Sequence, residues 1–208
     1  MKIKFVIIFI ILAFLKAEFS HSQNDTIKGK IFSSVTMKKP KGDIYVFEKG
    51  TSNGTIANDL GEFNLITKTK KESHFLKISV GNYPNLIYEY KTIWNKRKKP
   101  KSIVINGKCE ITKEQARKDW KNGTPKLYLN SGISPVENSR KDKRFEKKYK
   151  VEYVELGCEG KIYECVTEYN FYTMKLLDII YKGKWRKTKR KEIVGMENYK
   201  NSIKACLN

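Results

Sequence analysis

The sequence predicts an α+β protein: a β-sandwich over residues 23–106, followed by a small basic α/β domain over residues 107–208. Three observations carry this. Runs of β-branched and aromatic residues recur roughly every ten positions up to Ile105, separated by Gly and Asn turn signals. Beyond Cys109 the apolar residues fall three and four apart, the period of a helix. With 208 residues, 12% of them aromatic, the chain can fill one or two cores. That excludes whole-chain disorder, a collagen, a coiled-coil rod and a polytopic membrane protein.

Residues 1–22 read as a secretory leader. Lys2 and Lys4 give a basic start, and Phe5 to Leu15 is apolar but short for a bilayer. Ser20-His21-Ser22 supplies small residues ahead of a cleavage site before Gln23. An uncleaved N-terminal anchor is the alternative. No later run approaches a spanning length, so an exported protein without a transmembrane segment is expected after cleavage.

The sandwich strands follow in order. Ile27 to Phe32 comes first, then the loop Met37 to Gly42 and the strand Ile44 to Phe47. Asn53-Gly54 is a turn, Thr55 to Ala57 is brief, and Asn58 to Gly61 turns again. Glu62 to Ile66 alternates with Phe63 and Leu65 on one face. Phe75 to Val80 is next, with further strands at Ile87 and at Ser102 to Ile105.

Ile27-x-Gly29-x-Ile31, Pro40-Lys41-Gly42, the strand Ile44 to Phe47, Gly54-Thr55 and Asp59-Leu60-Gly61-Glu62-Phe63 run in this order. The combination resembles the carboxypeptidase-regulatory-like domain, a transthyretin-like sandwich common in exported Bacteroidota proteins. Val80-Gly81-Asn82-Tyr83 departs by one residue from the Gly-Tyr pair of that family. The resemblance implies an accessory unit and no peptidase activity.

In the second half, Thr112-x-x-Gln115 forms a capping box with Ile111 and Ala116 at the staple positions, opening a helix that stops at Gly123. Leu127 and Leu129 alternate in a strand. Arg140 to Lys150 reads as a charged helix and Val151 to Leu156 as a second strand. Val166, Tyr169, Leu176 and Ile180 continue at helical spacing towards Gly183, and Trp185 to Val194 is expected to form another helix. Phe145 to Tyr149, Gly157-Cys158, Glu168-Tyr169-Asn170 and Gly183 to Arg186 resemble a small family of exported Bacteroidota proteins, which implies export but no activity.

Four cysteines, Cys109, Cys158, Cys165 and Cys206, suit disulfides in an oxidising compartment. Cys158–Cys165 is the expected bridge, straddling a turn, and Cys109–Cys206 could tie the ends of the second half. Free buried thiols are the alternative. No C-x-x-C or H-E-x-x-H is present, so no metal or cofactor is expected. His74 is the one histidine after the leader and reads as a strand residue. The expected function is that of an exported, non-enzymatic envelope protein, a binding or adaptor module; a carboxylate hydrolase using Glu155, Glu159 or Glu164 near Cys158 and a purely structural envelope protein are the alternatives.

The formal net charge is +21, from 43 Lys and Arg against 22 Asp and Glu. Only six of those cations are Arg, which suits a lysine-rich coding bias as well as a functional charge. Trp94 to Lys101 reads as a solvated basic loop. The densest run is Lys184, Arg186, Lys187, Lys189, Arg190 and Lys191, the candidate binding site. Its expected partner is an anionic envelope component or a protein, with no dedicated nucleic-acid target.

Overall fold

The computed structural model describes residues 24–96, 99–130, 139–157 and 160–207. The expected leader lies outside them. Period-two alternation builds the first half. β1 (Thr26–Ser33) turns Ile27 and Ile31 inward, β2 (Ile44–Glu48) turns Ile44 and Val46, and β5 (Ser73–Val80) turns Leu76 and Ile78. β3 (Gly54–Ile56), β4 (Glu62–Ile66), β6 (Leu86–Lys91) and β7 (Lys101–Ile105) complete a β-sandwich. One sheet has the order β4-β1-β7 and the other β3-β2-β5-β6. Pairing is antiparallel except between β1 and β7, which run parallel with Ile31 opposite Ile103. Both inner faces share one apolar core, and each fully buried Ile or Leu in it contributes about 1.5–3 kcal/mol.

The turn before β4 shows why the Asn58 to Gly61 sequence is needed. Asn58 Oδ1 accepts from the N–H groups of Leu60 and Glu62, both at 2.9 Å. Gly61 has φ +79°, and a Cβ there would stand 2.6 Å from the Ile31 carbonyl oxygen. A side chain at this position would meet strain and a collision together.

The basic run Trp94 to Lys101 begins inside a 3₁₀ turn, Thr92–Lys96, and Lys96 and Lys99 are exposed, as a solvated segment requires. Trp94 packs edge-on to Tyr90 at 5.2 Å, and Lys101 Nζ lies 4.3 Å from the Trp94 ring centroid. Arg97 and Lys98 lie outside the described residues.

The second half contains α1 (Lys113–Lys121), β8 (Lys126–Leu129), α2 (Arg140–Tyr149), β9 (Glu152–Glu155), α3 (Tyr163–Tyr181) and α4 (Met196–Leu207). β8 and β9 pair in parallel. Thr112 Oγ1 accepts from Gln115 N at 3.1 Å, but the Gln115 side chain donates to Asp119 at 2.6 Å instead of closing the capping box. α2 carries the full box, between Ser139 and Asp142. Leu127, Leu129, Phe145, Tyr149, Leu177 and Trp185 form a second core.

Two expectations are corrected. Trp185 to Val194 is not a helix. Only Lys184–Lys187 coils, as a 3₁₀ turn, because β8 takes the later backbone groups. Asn130 N donates to Glu192 O at 2.9 Å, and Val194 N donates to Tyr128 O at 3.1 Å. The disulfide is Cys109–Cys165, with Cα atoms 5.6 Å apart, which replaces both expected pairings, Cys158–Cys165 and Cys109–Cys206. The chain leaving β7 carries Cys109 past the first turn of α3, where Cys165 is buried against the sandwich. Cys158 and the side chain of Cys206 lie outside the described residues.

The two halves meet at this bond. Ile162 and Cys165 belong to the sandwich core. Lys41 N donates to Glu164 Oε1 at 2.7 Å, and Asn82 Nδ2 donates to Lys161 O at 2.8 Å. Among the described residues no helix is long and apolar enough to cross a membrane.

Candidate anion-binding cleft

The basic segment divides into arginines held by carboxylates and lysines that are not, Lys189 Nζ lying 3.5 Å from the Arg190 carbonyl oxygen. Trp185 is wholly buried, and its Nε1 donates to Asp178 Oδ1 at 2.7 Å. Arg186 Nε donates to the same oxygen at 2.9 Å, while its Nη2 and the Tyr199 hydroxyl both meet Asp178 Oδ2. The adjacent Asp178 carboxylate raises the Arg186 guanidinium above its ordinary value, against the opposing effect of burial.

Arg190 is tied down on the other side. Its Nη2 donates to Asp142 Oδ2 at 2.8 Å and its Nη1 lies 3.4 Å from Glu155 Oε1. Its backbone N–H donates to the Tyr153 hydroxyl at 3.1 Å. Both arginines of the segment are therefore anchors. Their carboxylate partners neutralise charge that the sequence assigns to a binding face.

Two of the four remaining cations join a new cluster. Lys187 and Lys189 face Lys141, Arg144 and Lys148 across a cleft of about 510 Å³. The three α2 residues are three, four and seven positions apart and so share one helix face. Phe145 and Tyr149 form the apolar floor, and among the described residues no carboxylate lines this cleft. Burial holds the Lys189 ammonium below its ordinary value, with the charge of Lys200 adding to the effect. Lys191 lines a neighbouring hollow with Lys189 and Lys200, and Lys184 is exposed. Of the six predicted residues, then, the structure brings two to the cleft. It adds three from α2, whose signal was the i, i+3, i+7 spacing of Lys141, Arg144 and Lys148.

The residues considered for catalysis have structural partners. Glu155 pairs with Arg190, and Glu164 caps the Lys41 backbone at the junction. Glu159 lies outside the described residues. His74 is buried inside the sandwich, with Nδ1 2.9 Å from Glu48 Oε1 and Nε2 3.7 Å from Asp25 Oδ2. Among the described residues no group of three or more His, Cys, Asp or Glu could hold a metal ion.

Glu48 makes stability pH-dependent. Burial alone would raise its carboxyl, but hydrogen bonds to His74 and Asn53, with the charges of His74 and Lys71, hold it below the ordinary 4.5. A carboxyl with a lowered folded value stabilises the fold above its unfolded value, and that contribution is lost as pH falls through the folded one. Urea midpoints measured from pH 7 to 3 should therefore fall below about pH 4.5, and Glu48→Gln should flatten part of that decline. An unchanged profile in the variant would remove Glu48 from the account.

No described protein family matches the chain, and no characterised protein matches its sequence. Two solved chains show a distant likeness, each from a type II cohesin–X–dockerin complex of Acetivibrio cellulolyticus. One complex carries an N-terminal interface mutation and the other a C-terminal one. Each is 17% identical, covers 69% of this chain and 92% of its own, and superposes with a TM-score of 0.29. At that score the likeness assigns no function.

Proposed function

We propose that this protein is an exported, non-enzymatic binding module that holds an anionic component of the cell envelope between α2 and the Lys187–Lys189 segment. The observation that carries the reading is the cleft itself, with five cations, an aromatic floor and, among the described residues, no lining carboxylate. Cations gathered on one concave surface raise the local concentration of an anion and orient it. The floor adds an apolar contact for whatever the charge is attached to. Export is supported by the leader-like residues 1–22, and the Cys109–Cys165 bond suits an oxidising compartment. The resemblance of the first half to a carboxypeptidase-regulatory-like domain agrees with an accessory role.

The test is retention on immobilised lipopolysaccharide and on heparin across a salt series. Retention should weaken as salt rises. The triple variant Lys141→Gln, Lys148→Gln, Lys187→Gln should bind roughly tenfold more weakly, at a few tenths to 1 kcal/mol for each exposed ion pair. Lys184→Gln with Lys191→Gln should stay near the parent. Equal retention of the parent and the triple variant would sink the proposal.

A further inference from the structure

A groove of about 1080 Å³ lies where the two halves meet, and it shares no lining residue with the basic cleft. Residues 35–43, after β1, form one wall. Asp59 and Leu60 of the turn before β4 form a second, and the first two turns of α3 with Asn198 of α4 form the third. A Cβ on Gly61 would stand 3.5 Å from Lys39 Cγ, so the two sandwich turns run side by side. The hydrogen bond from Lys41 N to Glu164 joins them to α3.

Two features of this groove are unfavourable for the fold alone. Glu164 is only 8% exposed; its Oε1 accepts from Lys41 N, but its Oε2 has no hydrogen-bond partner among the described residues. The Tyr83 hydroxyl feels the Glu164 charge but is bonded to Ser33 Oγ at 2.6 Å. A buried acceptor without a donor is destabilising. Met37 has φ +55°, a left-handed conformation disfavoured for a residue with a side chain, and its side chain lines the groove 61% exposed. Leu60 is equally exposed at the tip of the neighbouring turn. Strained backbone of this kind gathers at ligand sites.

The polar groups decide the class of ligand. Three of the four lysines on the groove are held by the protein itself. Lys30 Nζ lies 3.0 Å from Glu62 Oε1, Lys39 Nζ donates to the Gly42 carbonyl oxygen at 3.2 Å, and Lys41 Nζ stands 5.6 Å from the Tyr163 ring centroid. Asp43, Asp59 and Glu168 are exposed, and none has a side-chain partner among the described residues. The surplus is of carboxylate acceptors, which repel an anion. A cation is opposed by the four lysines and by a chain of net charge +21. A neutral ligand rich in hydroxyl donors meets both conditions. Met37, Leu60 and the Tyr163 ring offer apolar contact to the C–H faces of sugar rings. A volume of about 1080 Å³ lies at the top of the range that one small molecule fills, so a short chain of sugars fits.

We propose that this groove binds a neutral oligosaccharide through its hydroxyl groups. Asp43, Asp59 and Glu168 accept from them, Asn198 offers both an acceptor and donors, and a hydroxyl at the floor supplies Glu164 Oε2 with its donor.

Isothermal titration calorimetry with linear hexasaccharides of glucose, xylose, mannose and N-acetylglucosamine tests this, each taken to about 2 mM so that millimolar constants are seen. At least one should bind. Asp43→Ala, Asp59→Ala and Glu168→Ala together should weaken that binding about tenfold or more. The thermal midpoint should stay at the parent value, since none of the three side chains has a partner to lose. Raising sodium chloride from about 0.05 to 0.5 M should change the affinity less than about twofold, because no ion pair forms. A tetralysine peptide should not displace the sugar. The cleft variant Lys141→Gln, Lys148→Gln, Lys187→Gln should bind it as the parent does, which keeps this site separate from the anion cleft. Binding of none of the four sugars overturns the proposal. So does binding that survives the triple alanine variant, fades with salt, is lost in the cleft variant, or yields to tetralysine, the last marking a site for cations.

Discussion

Replacing Cys109 and Cys165 with alanine should lower the unfolding free energy by about 4 kcal/mol. The bond spans a sequence separation of 56 residues, and closing a loop of that length removes about this much free energy of chain entropy from the unfolded state. For a chain of this size the loss should bring the thermal midpoint down by roughly 10 °C. The bond also clamps the first turn of α3 to the segment leaving β7, with Ile162 packed beside it in the sandwich core. Its loss should therefore loosen the end of the sandwich before the second core. Calorimetry with and without reductant measures the shift, and a peptide map of the oxidised protein should show the Cys109 and Cys165 peptides linked. A reduced protein that melts within about 2 °C of the oxidised one would contradict the chain-entropy account.

Asp178→Ala should cost about 2–3 kcal/mol, the order expected when buried donors lose their acceptor, with little added by the ion pair because the Arg186 side chain is 37% exposed. Three donors lose their acceptor together: the buried Trp185 indole, Arg186 and the Tyr199 hydroxyl. Burial, reinforced by Asp178, pushes the Tyr199 phenol well above its ordinary value, so its hydroxyl remains a donor across the working pH range. Once Asp178 is gone, the Lys184–Lys187 turn has lost its tether, and the wall of the cleft formed by Lys187 and Lys189 should drift from α2. Urea unfolding followed by tryptophan fluorescence should show a lower midpoint, and retention on the anionic matrix should fall as well. Asp178→Asn should be intermediate, since it keeps an oxygen for Trp185 and loses the charge that Arg186 needs. An Asp178→Ala midpoint equal to the parent would show that the carboxylate is replaceable.

The sandwich was legible because strand alternation is a local signal. Ile27, Ile31, Phe63 and Leu65 face inward as their spacing requires, and Gly61 sits where the turn needs a left-handed backbone. β7 was anticipated as a strand, but its parallel pairing with β1 joins segments about seventy positions apart, and no periodicity reports that. The helix expected from Trp185 onward failed for a related reason. Its charge and propensity were compatible with a helix, but Trp185 was drawn inward by Asp178 and the later backbone by β8. α4 carried no start signal strong enough to find it.

The candidate site was half legible. The run Lys184 to Lys191 was conspicuous as sequence, but a run of like charges does not say which members are neutralised. Asp142 and Glu155 answer that from distant positions, and Asp178 from the preceding helix. The same limit explains the cysteines. Cys158 is seven positions from Cys165 and invites pairing, whereas the bond that forms depends on where the end of the sandwich meets α3.

The sealing of the sandwich by Ile162 and Cys165 also bears on how the chain matures. Synthesis delivers all seven sandwich strands by Ile105, yet the residues that close that core follow almost sixty positions later. A nascent first half therefore emerges with one end of its interior open and a lone thiol at Cys109 beside it. It must be shielded or left unfinished until α3 arrives. Joining that thiol to Cys165, with the two electrons and two protons passed to an external thiol oxidant, requires both halves to have been made and brought together, so an oxidised Cys109–Cys165 pair reports a completed chain as well as bracing it.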